Sequence, residues 1–361
     1  MNIKFYTTSE AAWEAEIAII RAAQKTVDLE SYIFADDQIG RQFLEAMAER
    51  AAAGIQVRCI FDAVGSGGLS VKTLAWCTEH KIQVEFFHRF FGNKRKIPFW
   101  TRALERTHRK ALIIDGETAF VGGVNVREDL RYRRDVQIKL TDESVKPIQK
   151  TFNRTWDYLQ GNYLKRVQTR LSERLEYLGK HLQVEIWSHE PRQESQSFKK
   201  LFKQLLRDAK HDVLLVTPYF FPSAFMLKYL KRALKRGVRV RLLTPWSMDV
   251  RWTIPLMREY IRQAEKFGIE VRDAGAPMIH AKVFLIDGAW GVVGSPNIYK
   301  RSALFDRELS VVIRDGQAIR ELRGPMEDWW QKGRPLTDRQ REFSLKERLW
   351  GFPAWLLKDF I

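Results

Sequence analysis

HRKALIID (108–115) and HAKVFLID (280–287) decide the fold of this chain, and they share one pattern. Each is followed by a short segment that ends in asparagine, GGVN (122–125) after the first and GSPN (294–297) after the second. Counting from each histidine, lysine lies at +2, aspartate at +7, glycine at +14 and asparagine at +17. Five matched positions that occur twice will hardly arise by chance, so we interpret both segments as functional.

The spacing within each segment is typical of a strand. Side chains alternate between the two faces of a strand, so the lysine at +2 lies on the same face as its histidine. The apolar residues that follow, 111–114 and 283–286, suit the buried centre of a sheet. We expect the glycines to let the backbone turn tightly and the asparagine amides to donate to a phosphoryl oxygen. The residues predicted to converge on one tetrahedral anion are His108, Lys110, Asn125, His280, Lys282 and Asn297.

This set of side chains suits phosphodiester exchange. One neutral imidazole attacks phosphorus and gives a phosphohistidine, while the other protonates the leaving alkoxide and later deprotonates the incoming alcohol or water. The lysines and asparagines would stabilise charge on the phosphate without a metal or other cofactor. Asp135 and Glu308 follow their histidines by 27 and 28 residues, and either could orient a histidine Nδ1–H. Asp115 and Asp287 are candidate catalytic residues or simple turn residues.

Around these segments, helix-like and strand-like patterns alternate, which favours an α/β fold. The second half repeats the plan of the first: VDLESYIF (27–34) resembles VLLVTPYF (213–220), and GIQVR (54–58) resembles GVRVR (237–241). We therefore predict an internal duplication, with two similar halves of mixed sheets and helices packed pseudo-symmetrically around one shared site. The predicted units are an N-terminal half (1–165), a C-terminal half (190–335) and an amphipathic tail (336–361), with a polar connection at 189–197.

Composition limits the function. The chain has 361 residues and a net charge of +17, which favours nucleic acid or an anionic membrane surface as a partner. Its two cysteines, Cys59 and Cys77, are too few for a disulfide framework, and we expect Cys59 to be a buried free thiol. The first residues lack the pattern of a signal peptide, so we expect none, and no apolar run reaches the roughly 18–20 residues that a spanning helix needs. We therefore expect a cytoplasmic protein, either free or peripheral to a membrane.

The paired motifs resemble the duplicated His-x-Lys-x4-Asp signature of the phospholipase D superfamily over nearly the whole chain. Within it, TPYFFP (217–222), ESYIF (30–34) and the GGVN and GSPN segments are most similar to bacterial cardiolipin synthases. The resemblance implies paired α/β halves, a shared site without metal, and the six convergent residues given above as its members. It further implies that His108 is the nucleophile and His280 the acid and base.

Phospholipase D folds also include nucleases, so the substrate needs a separate argument. Residues 89–110 carry eight lysines and arginines interleaved with Phe90, Phe91, Phe99 and Trp100, and residues 222–242 carry seven more. This mix fits an interfacial membrane anchor, but it could also stack bases and bind phosphates. The tail is rich in aromatic and apolar residues, which favours the membrane unless these residues pack on the core. They are Trp350, Phe352, Trp355, Leu356, Leu357 and Phe360, beside Arg348 and Lys358.

The leading hypothesis is a phosphatidyltransferase, peripheral to the cytoplasmic side of the bacterial inner membrane, that converts phosphatidylglycerol into cardiolipin, with hydrolysis as a side reaction. Its partners would be a phospholipid and an anionic membrane, with no nucleic acid. One alternative keeps the chemistry but makes the protein a metal-independent phosphodiesterase or nuclease. Another is a non-catalytic scaffold that binds anions, against which the completeness of both motifs argues.

Overall fold

The computed structural model describes residues 3–89, 104–161, 183–191 and 197–341. In the N-terminal half, seven strands form one mixed sheet. These strands are β1 (Lys4–Thr8), β2 (Thr26–Ser31), β3 (Gln56–Asp62), β4 (Gln83–Phe87), β5 (Ala111–Ile114), β6 (Thr118–Gly122) and β7 (Arg134–Thr141). The helices are α1 (Ser9–Ala22), α2 (Gln38–Ala52), α3 (Val71–Glu79) and α4 (Val145–Gln160), with 3-10 turns at Glu128–Leu130 and Asp142–Ser144.

The C-terminal half contains an eight-stranded sheet and a separate two-stranded one. Its strands are β8 (Val184–His189), β9 (Asp212–Val216), β10 (Phe220–Phe221), β11 (Arg239–Thr244), β12 (Glu270–Asp273), β13 (Val283–Ile286), β14 (Trp290–Gly294), β15 (Ile298–Tyr299), β16 (Glu308–Ile313) and β17 (Arg334–Pro335). Its helices are α5 (Ser197–Asp208), α6 (Ala224–Lys235), α7 (Ile254–Lys266), α8 (Lys300–Leu304), α9 (Gly316–Lys332) and α10 (Asp338–Arg341), and a 3-10 turn occupies Arg251–Thr253.

The two large sheets have the same strand order and the same strand directions. The first runs β1-β7-β6-β5-β2-β3-β4, and the second runs β8-β16-β14-β13-β9-β11-β12 with β17 added at the edge. In each sheet the first four of these pairings are antiparallel and the next two are parallel. The α/β class and the internal duplication predicted from the sequence are therefore confirmed.

One apolar cluster joins the two halves. It combines residues of β5, β6 and β7 with residues of β13, β14 and β16, and it also includes Phe152 and Trp156 of α4 and Trp329 and Trp330 of α9. Each sheet also has an outer cluster of its own, formed with α1 and α2 in the first half and with α5, α6 and α7 in the second. The halves therefore pack through their sheets, with most helices on the outside.

The sequence pattern predicts an amphipathic helix over residues 9–25 with Ser9 as a possible N-cap, and the first helix differs from this prediction at both ends. Its N-cap is Thr8, whose hydroxyl accepts from the Ala11 N–H, rather than the expected Ser9. It ends at Ala22 instead of continuing to residue 25. The reason is that the next backbone amides, at Gln24 and Lys25, donate to the carboxylate of Asp115 rather than to helix carbonyls.

Asp115 and Asp287 clamp equivalent corners of the two sheets. Each follows a central strand in the left-handed region, with φ of 58° and 54°. The Asp115 carboxylate accepts from three successive backbone amides just before and at the start of β2, at 2.7–3.0 Å. Asp287 accepts in the same way from three amides just before and at the start of β9, at 2.7–2.9 Å. These residues therefore tie the hairpins β5–β6 and β13–β14 to the neighbouring strand.

The two cysteines, Cys59 and Cys77, are free and buried, so the prediction for Cys59 is confirmed. Across the described ranges, every helix is too short or too polar to cross a bilayer. Two predicted features lie largely outside the described residues: the basic and aromatic segment between residues 90 and 103, and the tail beyond residue 341.

We predict that Asp115→Ala lowers the free energy of unfolding by about 1–3 kcal/mol, because three backbone amides lose their acceptor. Urea denaturation followed by circular dichroism measures this change. The matched control is Asp129→Ala, which removes an exposed carboxylate paired with Arg127 and should change stability little. Equal losses in the two variants would contradict the role of Asp115 as a clamp.

Candidate active site

Backbone hydrogen bonds across the seam between the halves position both histidines. The N–H of His108 donates to the carbonyl of Arg307 at 2.9 Å, and the N–H of His280 donates to the carbonyl of Arg134 at 2.7 Å. Each carbonyl belongs to the residue immediately before the candidate orienting carboxylate of the opposite half. Each histidine therefore lies beside the carboxylate that the other half supplies.

The side chains pair in this crossed manner. Nδ1 of His108 lies 3.1 Å from both carboxylate oxygens of Glu308, and Nδ1 of His280 lies 2.6 Å from Oδ2 of Asp135. All four side chains are buried. An Nδ1–H that donates to a carboxylate fixes the tautomer and leaves the lone pair on Nε2. The sequence left open which carboxylate serves which histidine, and the structure pairs each with the histidine of the other half.

Both lysines lie with their histidines. Nζ of Lys110 donates to the carbonyl of His108 at 2.7 Å, and Nζ of Lys282 donates to the carbonyl of His280 at 2.5 Å. Burial lowers the pKa of Lys110 well below its usual value, and the charge of Lys282 lowers it further. The two ammonium groups are therefore close enough to repel each other. Burial also lowers the pKa of Lys282, to about 8.

The buried site keeps both imidazoles neutral. Burial lowers the pKa of His108 to about 4, and the charge of Lys110 adds to this effect against the opposing Glu308 carboxylate. The pKa of His280 is lowered to about 4 for the same reasons, with Lys282 as the nearby cation. At neutral pH, either nitrogen lone pair is then available to a substrate.

Asn125 and Asn297 complete the set. Oδ1 of Asn125 accepts from the N–H of Ile33 at 3.2 Å, so its amide hydrogens remain to donate. Asn297 is buried, and its Oδ1 has no hydrogen-bond partner among the described residues. Both asparagines line one cavity of about 830 Å³ together with His108 and His280. A cavity of this size accommodates lipid head groups as well as a phosphate.

Asp115 and Asp287 lie outside this site, although the sequence made them catalytic candidates. They are separated from their histidines by a whole strand, and their carboxylates are engaged by backbone amides. The structure thus brings together the histidines, lysines and asparagines of both motifs with Asp135 and Glu308. The backbone contacts of the two +7 aspartates favour the alternative that they are turn residues, and a catalytic role for them stays a prediction.

The glycines of the motifs provide space rather than tight turns. Gly123 and Gly294 both lie outside the positive-φ region, which contradicts the expected conformational role. A Cβ atom on Gly123 would lie 2.2 Å from Oδ1 of Asp135, and one on Gly294 would lie 2.5 Å from the carbonyl oxygen of Leu309. These glycines therefore let the neighbouring strand, and the carboxylate that orients His280, approach closely.

Two serines that the sequence did not single out support Glu308. The hydroxyl of Ser295 donates to Oε2 at 2.5 Å, and the hydroxyl of Ser302 donates to Oε1. Burial alone would raise the pKa of Glu308, but His108, Lys110 and Ser295 hold it below its usual value. Ser295 was visible as the residue that replaces the second glycine of the first motif, whereas Ser302 lies in no repeated segment.

Each histidine also packs against a tyrosine. The Tyr32 ring lies 5.0 Å from the His108 ring, and the Tyr219 ring lies 6.2 Å from the His280 ring, both in edge-on arrangements.

Within the described ranges, no group of three or more His, Cys, Asp or Glu side chains is arranged to hold a metal ion.

Solved structures share this architecture. A phosphatidylserine synthase of Haemophilus influenzae Rd KW20 matches with a TM-score of 0.75 and 15% identity, over 99% of this chain and 95% of that chain. A polyphosphate kinase of Porphyromonas gingivalis matches with a TM-score of 0.61 and 11% identity, over 98% of this chain and 53% of that one. At these identities the likeness concerns the fold alone.

Curated relatives are more similar in sequence. The Bacillus subtilis (strain 168) protein named "Probable cardiolipin synthase YwiE" is 29% identical over 93% of this chain and 67% of its own length. The cardiolipin synthase of Alkalihalophilus pseudofirmus is 27% identical over 88% of this chain and 64% of its own length. That of Geobacillus kaustophilus is 28% identical over 88% and 63%. This chain thus spans about two thirds of the length of these relatives.

The duplicated sheets and the paired His-x-Lys motifs define a phospholipase D-like architecture. A family model described as "Cardiolipin synthase, PLD-like domain" matches residues 17–156 and 202–330, so the chain belongs to that family.

We predict that the crossed pairing is visible in histidine titrations. Removing the Glu308 charge in Glu308→Gln should lower the pKa of His108 by about one pH unit and leave that of His280 unchanged, because the carboxylate stabilises only the adjacent imidazolium. Asp135→Asn should lower the pKa of His280 and leave that of His108 unchanged. Imidazole ¹⁵N shifts measured across pH report both values. A shift of the histidine in the same half as the altered carboxylate would reject the crossed arrangement.

Proposed function

We propose that this chain is a phosphatidyltransferase that moves a phosphatidyl group from phosphatidylglycerol to the hydroxyl of a second phosphatidylglycerol, forming cardiolipin. The observation that carries the proposal is the convergence of two crossed imidazole–carboxylate pairs on one cavity. The family and the relatives named cardiolipin synthase support the substrate class.

In the first step, Nε2 of His108 attacks phosphorus, the P–N bond forms and the P–O bond to glycerol breaks. His280 gives its proton to the departing alkoxide. An imidazolium is needed there, and the Nδ1–Asp135 contact of 2.6 Å is the shorter of the two crossed pairs. Because short charge-assisted hydrogen bonds stabilise an imidazolium more strongly, this asymmetry supports His280 as the acid and base. The negative charge of the bound phosphodiester favours the same protonated form.

The second step reverses the first with a different alcohol. The acceptor hydroxyl gives its proton to His280, its oxygen bonds to phosphorus, and the P–N bond to His108 breaks. In both steps Lys110, Lys282 and the two asparagine amides stabilise the charge that develops on the non-bridging phosphate oxygens. Water that enters the cavity in place of the alcohol would produce phosphatidate instead.

The proposal is tested with the purified chain, labelled phosphatidylglycerol vesicles and a chelator. We expect cardiolipin and glycerol in equal amounts, and a loss of at least about 10²–10⁴-fold in His280→Ala, which lacks the acid and base. The matched control is His211→Ala, which removes an exposed imidazole and should retain activity. Phosphatidate as the sole product would indicate a hydrolase.

The net charge of +17 favours one other candidate, a nuclease of the same fold. It is tested in parallel with plasmid DNA and the same chelator. DNA cleavage without lipid turnover would reject the transferase.

We predict that the roles of the two histidines separate in a trapping experiment. Acid-free denaturation during turnover should leave labelled phosphatidyl groups on the wild-type chain and none on His108→Ala, because only His108 forms the P–N bond. Mass spectrometry of peptides containing residue 108 locates the label. Label on His280 would reverse the assignment.

We further propose that the chain binds the cytoplasmic face of the bacterial inner membrane as a peripheral protein. The net charge and the exposed apolar residues Val250 and Trp252, which line the cavity, support this location. The chain should sediment with vesicles that contain phosphatidylglycerol, and added salt should weaken this binding. Equal binding to uncharged phosphatidylcholine vesicles, or no dependence on salt, would count against an electrostatic contribution.

A further inference from the structure

Asp249 is a carboxylate in the cavity that takes no part in the steps above. Its Oδ1 accepts from the hydroxyl of Tyr219 at 2.7 Å, and its Oδ2 accepts from Nη1 of Arg133 at 3.0 Å. The same tyrosine ring packs edge-on against His280. All four residues line the cavity. Asp249 is thus held in a fixed position close to the proposed acid and base.

The chemistry of this carboxylate suits a hydroxyl group. An ionised carboxylate accepts about four hydrogen bonds, and the described contacts use two of them. The Asp249 carboxylate would repel a phosphate group but would accept a hydrogen bond from an alcohol. The side chain of Asp249 is 33% exposed, so an alcohol in the cavity can reach it. Because His280 lies on the same side, such an alcohol is placed beside the base that must deprotonate it.

A second group with the same three residue types follows the GSPN segment and has a closed arrangement. Asp306 accepts from the hydroxyl of Tyr299 and from Nε of Arg301, each at 3.1 Å, and all three residues line the cavity. The Asp306 side chain, however, is only 2% exposed. Its charge acts on Tyr32, whose ring packs against His108, so this group belongs to the His108 side. Of these two described groups, the one beside His280 is the more open to a ligand.

The cavity wall next to Asp249 has the polarity of a lipid. Val250 and Trp252 follow it directly, line the same cavity and are 39% and 51% exposed. Arg133, which pairs with Asp249, supplies a cation to the same cavity wall. Near His280, the wall therefore combines a hydroxyl acceptor, a positive charge and apolar side chains. This combination matches an anionic lipid whose head group ends in a polyol.

We propose that Asp249, held by Tyr219 and Arg133, is the recognition site for the acceptor alcohol and selects a polyol head group by accepting the hydroxyl next to the one that attacks. The inference rests on the proposed function, because the acceptor must reach His280. The attacking hydroxyl loses its proton to His280 and its oxygen takes the phosphatidyl group from His108. The neighbouring hydroxyl donates to Asp249 and remains unreacted.

A competition between two small alcohols tests this site. Phosphatidylglycerol vesicles are supplied with equal amounts of 1,2-propanediol and 1-propanol, and mass spectrometry measures both phosphatidyl alcohols in one reaction. We expect the wild type to favour the diol about tenfold, and Asp249→Ala to reduce this preference to near one. The ratio is independent of how much of the variant is folded. If Asp249→Ala gives no folded protein, the isosteric Asp249→Asn should shift the ratio in the same direction.

The control is Asp328→Ala, which removes a surface carboxylate paired with Lys332 and should leave the ratio unchanged. An unaltered ratio in the Asp249 variants, including one in which both products fall together, would overturn the acceptor site while leaving the transferase intact. Absence of both phosphatidyl alcohols and of cardiolipin with the wild type would reject the proposed function and, with it, the acceptor site.

Discussion

Two buried imidazole–carboxylate pairs across the seam are the interaction on which the rest of this structure depends. Removing an ionised carboxylate from water costs several kcal/mol unless a partner and further hydrogen bonds compensate it. Here each compensating imidazole comes from the other half of the chain. A half separated from its partner would retain a carboxylate without its histidine and a histidine without its carboxylate. The association of the halves and the integrity of the site are therefore one and the same requirement.

The duplicated architecture holds two histidine–carboxylate pairs whose surroundings differ. Glu308 receives hydroxyl hydrogens from Ser295 and Ser302, whereas Asp135 receives the backbone N–H of Val136 at 2.8 Å and lies against Gly123. The Glu308 carboxylate thus accepts more hydrogen bonds from the surrounding protein than the Asp135 carboxylate does. This difference gives the two histidines different environments within nearly identical sheets, as a reaction with two distinct proton-transfer roles requires.

Much of the fold and the site could be predicted because the chain repeats its pattern. The alternation of side chains along an extended chain predicted Lys110 beside His108, as the hydrogen bond between them shows, although β5 itself begins only at Ala111. The same argument weighs against Asp115. A seven-residue offset at about 3.3 Å per residue separates it from the histidine by roughly 20 Å and points it to the other face. The crossed pairing was not predictable, since 27 and 28 residues are spacings that suit either carboxylate. Asp249 escaped notice because it belongs to no repeated motif.

Hydrogen bonds between main-chain atoms align the two halves. The bonds from His108 to Arg307 and from His280 to Arg134 join an amide to a carbonyl, so they survive almost any change of side chain at those positions. Insertions and deletions, in contrast, would change the direction of the histidine side chains. One residue gained or lost between His108 and β5, or between His280 and β13, would turn the histidine away from the cavity, because side chains alternate in direction along an extended chain. The seam therefore tolerates changes of side chain at Arg134 and Arg307, which contribute carbonyls, but not a change in the number of residues.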